Sequence, residues 1–266
     1  MIYNYFISPE HVLLWFRLMI ALSLLTASLQ HLINRFQFAE NGLLPWQIIK
    51  KKSANRLFRS KFFDYVFNLK GFIWLNAIRI FLLPLLVYGD NISVLIILII
   101  LSFGIYIRTK LMANAADQIN NVALIGLLIN VIFGQYSSPS VIIFFFSAVL
   151  LISYFTSGIL KFHEAKWQNG YYLKSIIASR NGNSSFYLQL MESIPAEIFK
   201  LSSKMTIGWQ ITGVLIPFLP LPLLYLYLFI GLIFHVSTGI LMKLPNFIWT
   251  FLAFLPCLFY TNIHLT

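Results

Sequence analysis

Long apolar segments, separated by short connections that carry most of the charge, constrain this sequence more than any other feature. The clearest runs from Val141 to Leu160, VIIFFFSAVLLISYFTSGIL, without a charged side chain. A helix needs about 20 apolar residues to cross a bilayer, where only helices and closed barrels satisfy their backbone. Hydrophobic residues make up 59% of the chain and charged residues 10%, against about 25% charged residues in soluble domains. We therefore expect an all-α polytopic membrane protein.

Hydropathy predicts about eight membrane-spanning helices, of which the fourth and sixth are short. They lie at about 12–33, 71–88, 91–108, 119–135, 140–161, 206–219, 221–242 and 245–262. Two longer connections, 34–70 and 162–205, contain basic, aromatic and periodic apolar residues that indicate short amphipathic helices at the membrane surface. The whole chain, 1–266, is expected to form a single membrane domain.

The basic residues follow the predicted spans closely. Of the 19 Lys and Arg residues, Arg17 and Arg79 fall inside spans, and the others lie in or beside alternate connections. The positive-inside rule places those connections in the cytoplasm and both chain termini on the opposite side. The formal charge of +11 is thus explained by orientation and by contact with anionic lipid, not by nucleic-acid binding.

Several polar residues lie within the predicted spans, where ionisable groups usually face other helices. They include Arg17, Arg79, Asp117, Asn121 and His235. Several such groups on different spans favour a shared polar pocket. Each also has a structural interpretation: an arginine can join helices, Asp117 can cap the helix that begins beside it, and His235 can be a hydrogen-bonded core residue. With one cysteine and no HxxxH pair inside a span, we expect no metal site.

The end of the fifth span is the most distinctive part of the chain. Lys161 stands at the membrane edge, and His163, Glu164, Lys166 and Trp167 follow within two turns. An ammonium group at the end of a membrane helix either anchors at the interface or has a chemical role. We expect the Lys161 side chain to turn inward, toward an ionisable cavity among the helices.

The segment Tyr154–Tyr172, with the pattern YF..GI.KF...W..GYY, resembles the corresponding segment of the vitamin K-dependent gamma-carboxylase membrane region. That region is the type case of the HTTM ("horizontally transferred transmembrane") domain. Weaker similarities at Trp15–Arg17, Asp117–Leu128 and Phe234–Phe247 follow in the family's order. The chain is similar in size to a bacterial branch, the sporulation-delaying protein B-like proteins, which assist maturation of a secreted peptide toxin. The resemblance implies an HTTM fold in a bacterial cytoplasmic membrane.

The carboxylase resemblance also implies roles for individual residues. A lysine of this segment is proposed there as the base that deprotonates a reduced quinone, and Lys161 matches its position. Burial favours the neutral amine, which is the form that acts as a base. The resemblance gives catalytic roles to Lys161 and His235 and pocket roles to Arg17, Arg79, Asp117, Asn121 and Trp167. Val122 stands where the family has a histidine after an Asn-Asn pair, which argues against glutamate carboxylation.

Three functions remain open at this point. The first is assistance in modifying or maturing a small exported peptide, with that peptide or a companion membrane protein as partner. The second is a hydroquinone-dependent enzyme that uses Lys161 as its base. The third is a non-catalytic immunity or scaffold protein that binds a peptide through Lys50, Lys51 and Lys52 and tolerates loss of Lys161. The carboxylase works on the lumenal side, whereas the charge pattern puts Lys161 in the cytoplasm; for topology we follow the charge pattern.

Overall fold

The structure is a computed structural model, and it describes residues 8–52, 60–111, 113–134, 136, 138–181, 189 and 191–265. Within these residues it contains helices and no strand. In the described part of the chain, seven helices are long and apolar enough to cross a membrane. The prediction of an all-α helical membrane bundle is confirmed, and the chain is an integral membrane protein. It divides into two compact units: an N-terminal unit, Leu14–Pro139, and a C-terminal unit, Met1–Leu13 with Ser140–Thr266.

The N-terminal unit contains the first four predicted spans. Between the first and second, the described residues form a 3-10 helix, Arg35–Phe38, and two short α-helices. In chain order its α-helices are α1 (Pro9–Ile33), α2 (Trp46–Lys52), α3 (Lys61–Phe67), α4 (Leu69–Tyr88), α5 (Ile92–Thr109) and α6 (Ala115–Phe133). The part of α1 from Leu14 onward belongs to this unit. Helix α4 packs on α5, and α5 packs on α6. Short connections make sequential helices antiparallel neighbours. Arg56 and Arg59, basic residues of the predicted surface connection 34–70, lie outside the described residues.

Asparagine side chains begin three of these long helices. Asn68 accepts a hydrogen bond from the backbone of Gly71 at the start of α4, and Asn91 caps α5. At α6, Asn114 and Asp117 form a reciprocal capping box, each accepting from the other's backbone N–H. Such caps satisfy N–H groups that have no partner within the helix. The cap predicted as the structural role of Asp117 is therefore present.

A buried guanidinium fastens the connection 34–70 to the long helices. Arg108, at the end of α5, is fully buried. Its Nε donates to Phe67 O at 3.0 Å, and its Nη2 donates to Phe38 O and Leu44 O, each at 2.9 Å. Its guanidinium carbon lies 5.2 Å and 5.5 Å from the ring centroids of Phe38 and Phe72. One side chain therefore satisfies three carbonyls and holds this connection against α5.

The C-terminal unit contains the remaining predicted spans. Its helices are α7 (Pro139–His163), α8 (Ala165–Gln168), α9 (Tyr171–Asn181), α10 (Ala196–Thr212), α11 (Leu221–Leu241) and α12 (Pro245–Leu265). Helices α7, α11 and α12 match the fifth, seventh and eighth predicted spans. The sixth, 206–219, is the end of α10 continued by a 3-10 helix, Gly213–Phe218. The predicted surface segment 162–205 therefore ends inside a helix that runs on into the sixth span.

A buried asparagine on α12 stabilises the end of this irregular span. Asn262 Nδ2 donates to the carbonyls of Ile216 and Leu219, each at 2.9 Å, and to that of Pro217 at 3.2 Å. The last carbonyls of a helix lack partners within it and need others when they are buried. Asn262 supplies these hydrogen bonds where Pro217 precedes the turn into α11.

Residues 211–213 run antiparallel to α7. Ile211 lies against Gly158, and Gly213 lies against Tyr154. At the other end Thr261, next to Asn262, donates to Ser147 Oγ at 2.7 Å. The distance from Gly158 to Ser147 corresponds to about 16 Å of α7 at 1.5 Å per residue. The sixth predicted span thus covers much of the same depth as α7.

Candidate functional site

The Lys161 side chain lies in the seam between α7 and α10. Its Nζ donates to Gln210 Oε1 at 3.0 Å, to Ser157 Oγ, and to Ser157 O at 3.4 Å. The acceptors come from both helices, so the ammonium links them. The Lys161 side chain therefore turns toward α10, and we call Lys161, Ser157, Gln210 and Trp167 the Lys161 cluster.

Trp167 covers the Lys161 ammonium from α8, the single helical turn that follows α7. The Nζ atom lies 5.3 Å from the indole centroid, within the range of a cation–π contact. Ser203 on α10 donates to the Trp167 carbonyl. Gly170 has a φ of +80°, and a Cβ there would meet Lys200 N at 2.5 Å. The turn therefore packs backbone to backbone on α10, which only glycine permits at this point.

A buried tyrosine–histidine pair lies deeper in the same unit. Tyr154 Oη and His235 Nε2 are 2.6 Å apart, and the His235 ring stacks on Phe251 with centroids 3.7 Å apart. With the phenol as donor, Nε2 accepts and Nδ1 carries the proton; Nδ1 has no hydrogen-bond partner among the described residues. His235 is thus a hydrogen-bonded core histidine, the structural interpretation given above.

The pair and the Lys161 cluster share one seam. Tyr154 and Lys161 are two turns apart on one face of α7, about 10 Å along the helix. Trp209, the neighbour of Gln210, lies 4.9 Å from Tyr154 between ring centroids. Polar groups at the end of the seam are therefore followed by an aromatic interior.

The N-terminal unit has a separate, small polar pocket that is partly open. Its polar lining comes from all four long helices and includes His31, Arg79, Ser102, Asp117, Asn120 and Asn121. The pocket lies near the last turns of α1 and α5 and the first turn of α6. Three residues predicted to line a pocket therefore line this one.

Arg79 is the most buried charged group of this pocket, with 3% of its surface exposed. Its Nε donates to Ser28 Oγ at 2.8 Å, and its charge interacts with that of Asp117. Asn120 donates to Ser23 Oγ at 2.8 Å. These contacts join α1, α4 and α6, so a polar network holds this part of the unit together.

Arg17 occupies a different position. It forms an ion pair with Asp90, which lies between α4 and α5, and the Asp90 side chain is 63% exposed. Arg17 is not among the described residues that line the pocket of the N-terminal unit. Its contact ties α1 to the connection that follows α4.

The predicted site residues therefore fall into four local settings. Lys161 and Trp167 are in contact, His235 is bonded to Tyr154, Arg17 is paired with Asp90, and Arg79, Asp117 and Asn121 line the N-terminal pocket. The first two settings belong to the C-terminal unit and the last two to the N-terminal unit.

Sequence reasoning assigned no role to Gln210, Tyr154 or Arg108. The sequence could have indicated a role for Gln210, because an amide inside an apolar segment needs a polar partner. Tyr154 stands inside the recognised segment, but nothing local indicates that its partner is His235. Arg108 was counted with a basic connection, and its carbonyl partners lie 41 to 70 residues away in sequence.

Comparison of the chain with protein-family models, curated proteins and solved structures finds no match. Among the described residues, no three or more His, Cys, Asp or Glu side chains are grouped to hold a metal ion. The chemistry of the site must therefore be judged from the side chains themselves. An amine held by an amide, a hydroxyl and an indole can bind a carboxylate or carbonyl group, or exchange a proton with a ligand.

Proposed function

We propose that this protein is an HTTM-type bacterial membrane protein, related to the sporulation-delaying protein B-like branch, that helps to modify or mature a small exported peptide. The observation that carries the proposal is the Lys161 ammonium, held inward between α7 and α10 beneath Trp167. A lysine that served only as an anchor would extend toward the lipid headgroups.

The side chains of the Lys161 cluster match the chemical groups of a peptide segment better than those of a simple inorganic ion. Lys161 offers a charged donor, Gln210 an amide, and Trp167 an apolar face beside both. Peptide ligands present carbonyl or carboxylate oxygens next to apolar side chains, and aromatic residues at interfaces bind such mixed surfaces. Lys161 would then orient the peptide at the end of the seam.

The test compares the secreted peptides of the native host by mass spectrometry. Strains lack the gene or carry the wild type, Lys161→Ala or Lys166→Ala. Lys166 is the matched control, because it is exposed and contacts Tyr171 and Tyr172 instead of the seam. We expect one small peptide to lose its mature mass in the deletion strain and in Lys161→Ala, at unchanged protein level, and to keep it in Lys166→Ala. Identical peptide profiles in all strains would refute the proposal.

A hydroquinone-dependent enzyme is the second candidate, and the aromatic interior below Lys161 favours it. Tyr154, Trp209 and Phe251 give the seam flat apolar surfaces. A neutral Lys161 amine would take the proton of a hydroquinone O–H, leaving an ammonium and a hydroquinone monoanion. Purified protein would then bind a menaquinol analogue and show quenched tryptophan fluorescence, and Lys161→Ala would keep this binding but lose turnover. Absence of saturable quenching excludes this candidate.

A non-catalytic immunity or scaffold protein is the third candidate. It is favoured by the three acceptors that already surround the Lys161 Nζ atom, since such contacts also suit a structural tie between helices. Of the three lysines expected to bind the peptide, Lys50 is already paired with Asp64 at 2.7 Å, so its charge is partly neutralised. Normal peptide maturation in Lys161→Ala, together with loss of partner binding in Lys51→Ala, would favour this candidate over the first.

For topology, we propose eight crossings, with both termini on the non-cytoplasmic side of a bacterial cytoplasmic membrane. Ile211 and Gly213 lie against α7, and the far end of the 3-10 helix is bonded to Asn262, whose neighbour Thr261 contacts Ser147 on α7. These contacts support a short sixth crossing completed by the 3-10 helix. Residues 205–218 would extend about 24 Å, from 1.5 Å per residue in the α-helix and 2.0 Å in the 3-10 helix. An even number of crossings agrees with the alternation of basic connections along the sequence.

A further inference from the structure

The hydroxyl of Ser157 is placed differently from the neighbouring hydroxyls of α7. Ser153 Oγ and Thr156 Oγ1 each donate at 2.7 Å to the backbone carbonyl four residues earlier, as serine and threonine commonly do in helices. Ser157 Oγ instead meets the Nζ atom of Lys161, which lies one turn later on the same face of the helix. The Ser157 hydroxyl is therefore directed at an amine and not at its own backbone.

The contacts of the Lys161 amine suit its neutral form as well as the ammonium. A neutral amine has two N–H donors and one lone pair. Nζ can donate to Gln210 Oε1 at 3.0 Å and to Ser157 O at 3.4 Å, and it can accept the Oγ–H of Ser157. Within the described residues no carboxylate is paired with this amine, so no opposing charge holds it in the ammonium form. The proton of Ser157 can therefore pass to Lys161 without rearrangement of the cluster.

Gln210 adds a hydrogen-bond donor to this pair. Its Oε1 accepts from Lys161, and the two N–H groups on Nε2 have no partner among the residues that the structure describes. Only 5% of the Gln210 surface is exposed, and polar groups with so little access to water are normally paired. A substrate carbonyl beside Ser157 would supply the acceptor. Ser157 and Lys161 are half-buried, so a substrate can reach the hydroxyl from outside the seam.

We propose that Ser157 is a nucleophile with Lys161 as its general base, and that they cleave an amide bond in the precursor of the exported peptide. This inference rests on the proposed function and assigns its reaction. A serine activated by a lysine is a known form of nucleophilic catalysis on several folds. Ser157 lies about 6 Å along α7 from Lys161 at the membrane edge. The substrate is therefore an extended precursor segment at the interface, because the carbonyls of a helical segment are already bonded.

The reaction has two steps and needs only water as a second reactant. Ser157 Oγ gives its proton to the Lys161 amine and bonds to the carbonyl carbon, and Gln210 Nε2 stabilises the oxyanion that forms. The ammonium gives the proton to the leaving nitrogen as the C–N bond breaks, which leaves an ester on Ser157. Lys161 then takes a proton from water, the hydroxide adds to the ester carbon, and the bond to Oγ breaks as Oγ regains a proton.

The first test labels the full-length protein, purified in detergent, with an alkyl fluorophosphonate. This probe forms an O–P bond with an activated serine and releases fluoride, and mass spectrometry identifies the modified residue. We expect label on Ser157, at a rate at least about a hundredfold lower in Lys161→Ala, as for loss of a positioned general base. Ser153→Ala is the matched control, because that hydroxyl bonds to its own helix, and its label on Ser157 should be unchanged. No label on Ser157, or an equal rate in Lys161→Ala, would overturn the proposal.

The peptide profile of the host separates this inference from the proposed function. We expect Ser157→Ala to lose the mature peptide mass as Lys161→Ala does, at unchanged protein level, and Ser153→Ala to keep it. Full maturation in Ser157→Ala together with loss in Lys161→Ala would overturn the serine mechanism but leave the proposed function standing. Full maturation in both variants would refute both.

Discussion

Among single residues, Arg108 has the most demanding structural role. Replacing it with methionine keeps the apolar stem but leaves the carbonyls of Phe38, Leu44 and Phe67 without their donor. We expect the variant to lose several kcal/mol of stability, at about 1–3 kcal/mol for each buried unsatisfied group. The measurement is thermal unfolding in detergent.

Arg17→Met is the control for that experiment. It also removes an arginine, but from an ion pair whose partner, Asp90, is 63% exposed. Because one partner is solvent-exposed and pairs at the surface contribute about 0–1 kcal/mol, the melting temperature should fall less than in Arg108→Met. Equal destabilisation by the two substitutions would contradict the role given to Arg108.

Asp64 provides a pH-dependent contact outside the membrane spans. Lys50 Nζ and Trp46 Nε1 donate to its carboxylate, and these hydrogen bonds lower the pKa of Asp64 below its usual value. The folded pKa is lower than the unfolded one, so the contact stabilises α2 and α3 above the unfolded pKa and is lost as the pH falls through the folded one.

We therefore expect the Trp46 fluorescence to change only at acidic pH, below about 4. The Trp46 signal is obtained as the difference between the wild type and Trp46→Phe. In Asp64→Asn the transition should disappear. A transition of equal size in that variant would show that another group is responsible.

A helix cap is easier to predict from the sequence than the partners of a buried polar side chain. The Asp117 cap was predictable, because its partner Asn114 is three residues away and helix starts have local signatures. The Arg108 contacts were not, because a basic residue beside a connection usually faces water and its partners come from distant parts of the chain. Tyr154 and His235 are 81 residues apart, so their pairing also needed the fold.

At the level of elements, the contact between α7 and α10 depends on the missing side chain of Gly158. A Cβ there would lie 2.8 Å from Ile211 Cγ1 and 3.0 Å from Ile211 N. Gly158→Ala should therefore push the helices apart, destabilise the protein by about 1–3 kcal/mol as overpacking does, and disturb the Lys161–Gln210 contact. Unfolding in detergent measures the first effect, and peptide maturation measures the second.

Gly208 on α10 is the matched control for this substitution. No atom lies within 4 Å of a Cβ built there, so Gly208→Ala should be neutral or stabilising by up to about 1 kcal/mol, from helix propensity. If Gly158→Ala were as stable as Gly208→Ala, the close approach of α7 and α10 would be wrong.

The elements were predictable where the apolar runs are long. The run Val141–Leu160 lies within α7, and 71–88 lies within α4. The sixth span was harder, because its 3-10 end depends on hydrogen bonds from Asn262, more than 40 residues later. Periodicity shows which face of a segment is apolar, but it does not show which distant amide satisfies its last carbonyls.

At the level of the whole molecule, the number of crossings is the main prediction. In a Cys257→Ser background, cysteines replace Tyr136, Phe218, Lys110 or Lys166. With eight crossings, those at 136 and 218 react with an impermeant maleimide in intact cells, and those at 110 and 166 react only after permeabilisation. Protection of Phe218→Cys in intact cells would mean that 206–219 does not cross, leaving seven crossings.

Whole-molecule properties were the most predictable from composition and charge. Low charge content and long apolar runs were enough for an all-α membrane protein, because few other structures are stable in a bilayer. Individual residues of the candidate site could be predicted from the sequence, but the full set of residues that meet there could not. Lys161 and Trp167 are close in sequence and share one cluster, whereas Gln210, which completes it, comes from a distant helix.

The central claim is that the Lys161 side chain lies inside the seam of α7 and α10. The most direct measurement is the rate of maleimide labelling of Lys161→Cys and Lys166→Cys in purified Cys257→Ser protein, with Gln210→Ala added in a second pair. The structure predicts that position 161 reacts at least about tenfold more slowly than position 166, as expected for a thiol held between packed helices, and that Gln210→Ala accelerates it. Equal rates at the two positions would contradict the claim and remove the basis for the proposed function.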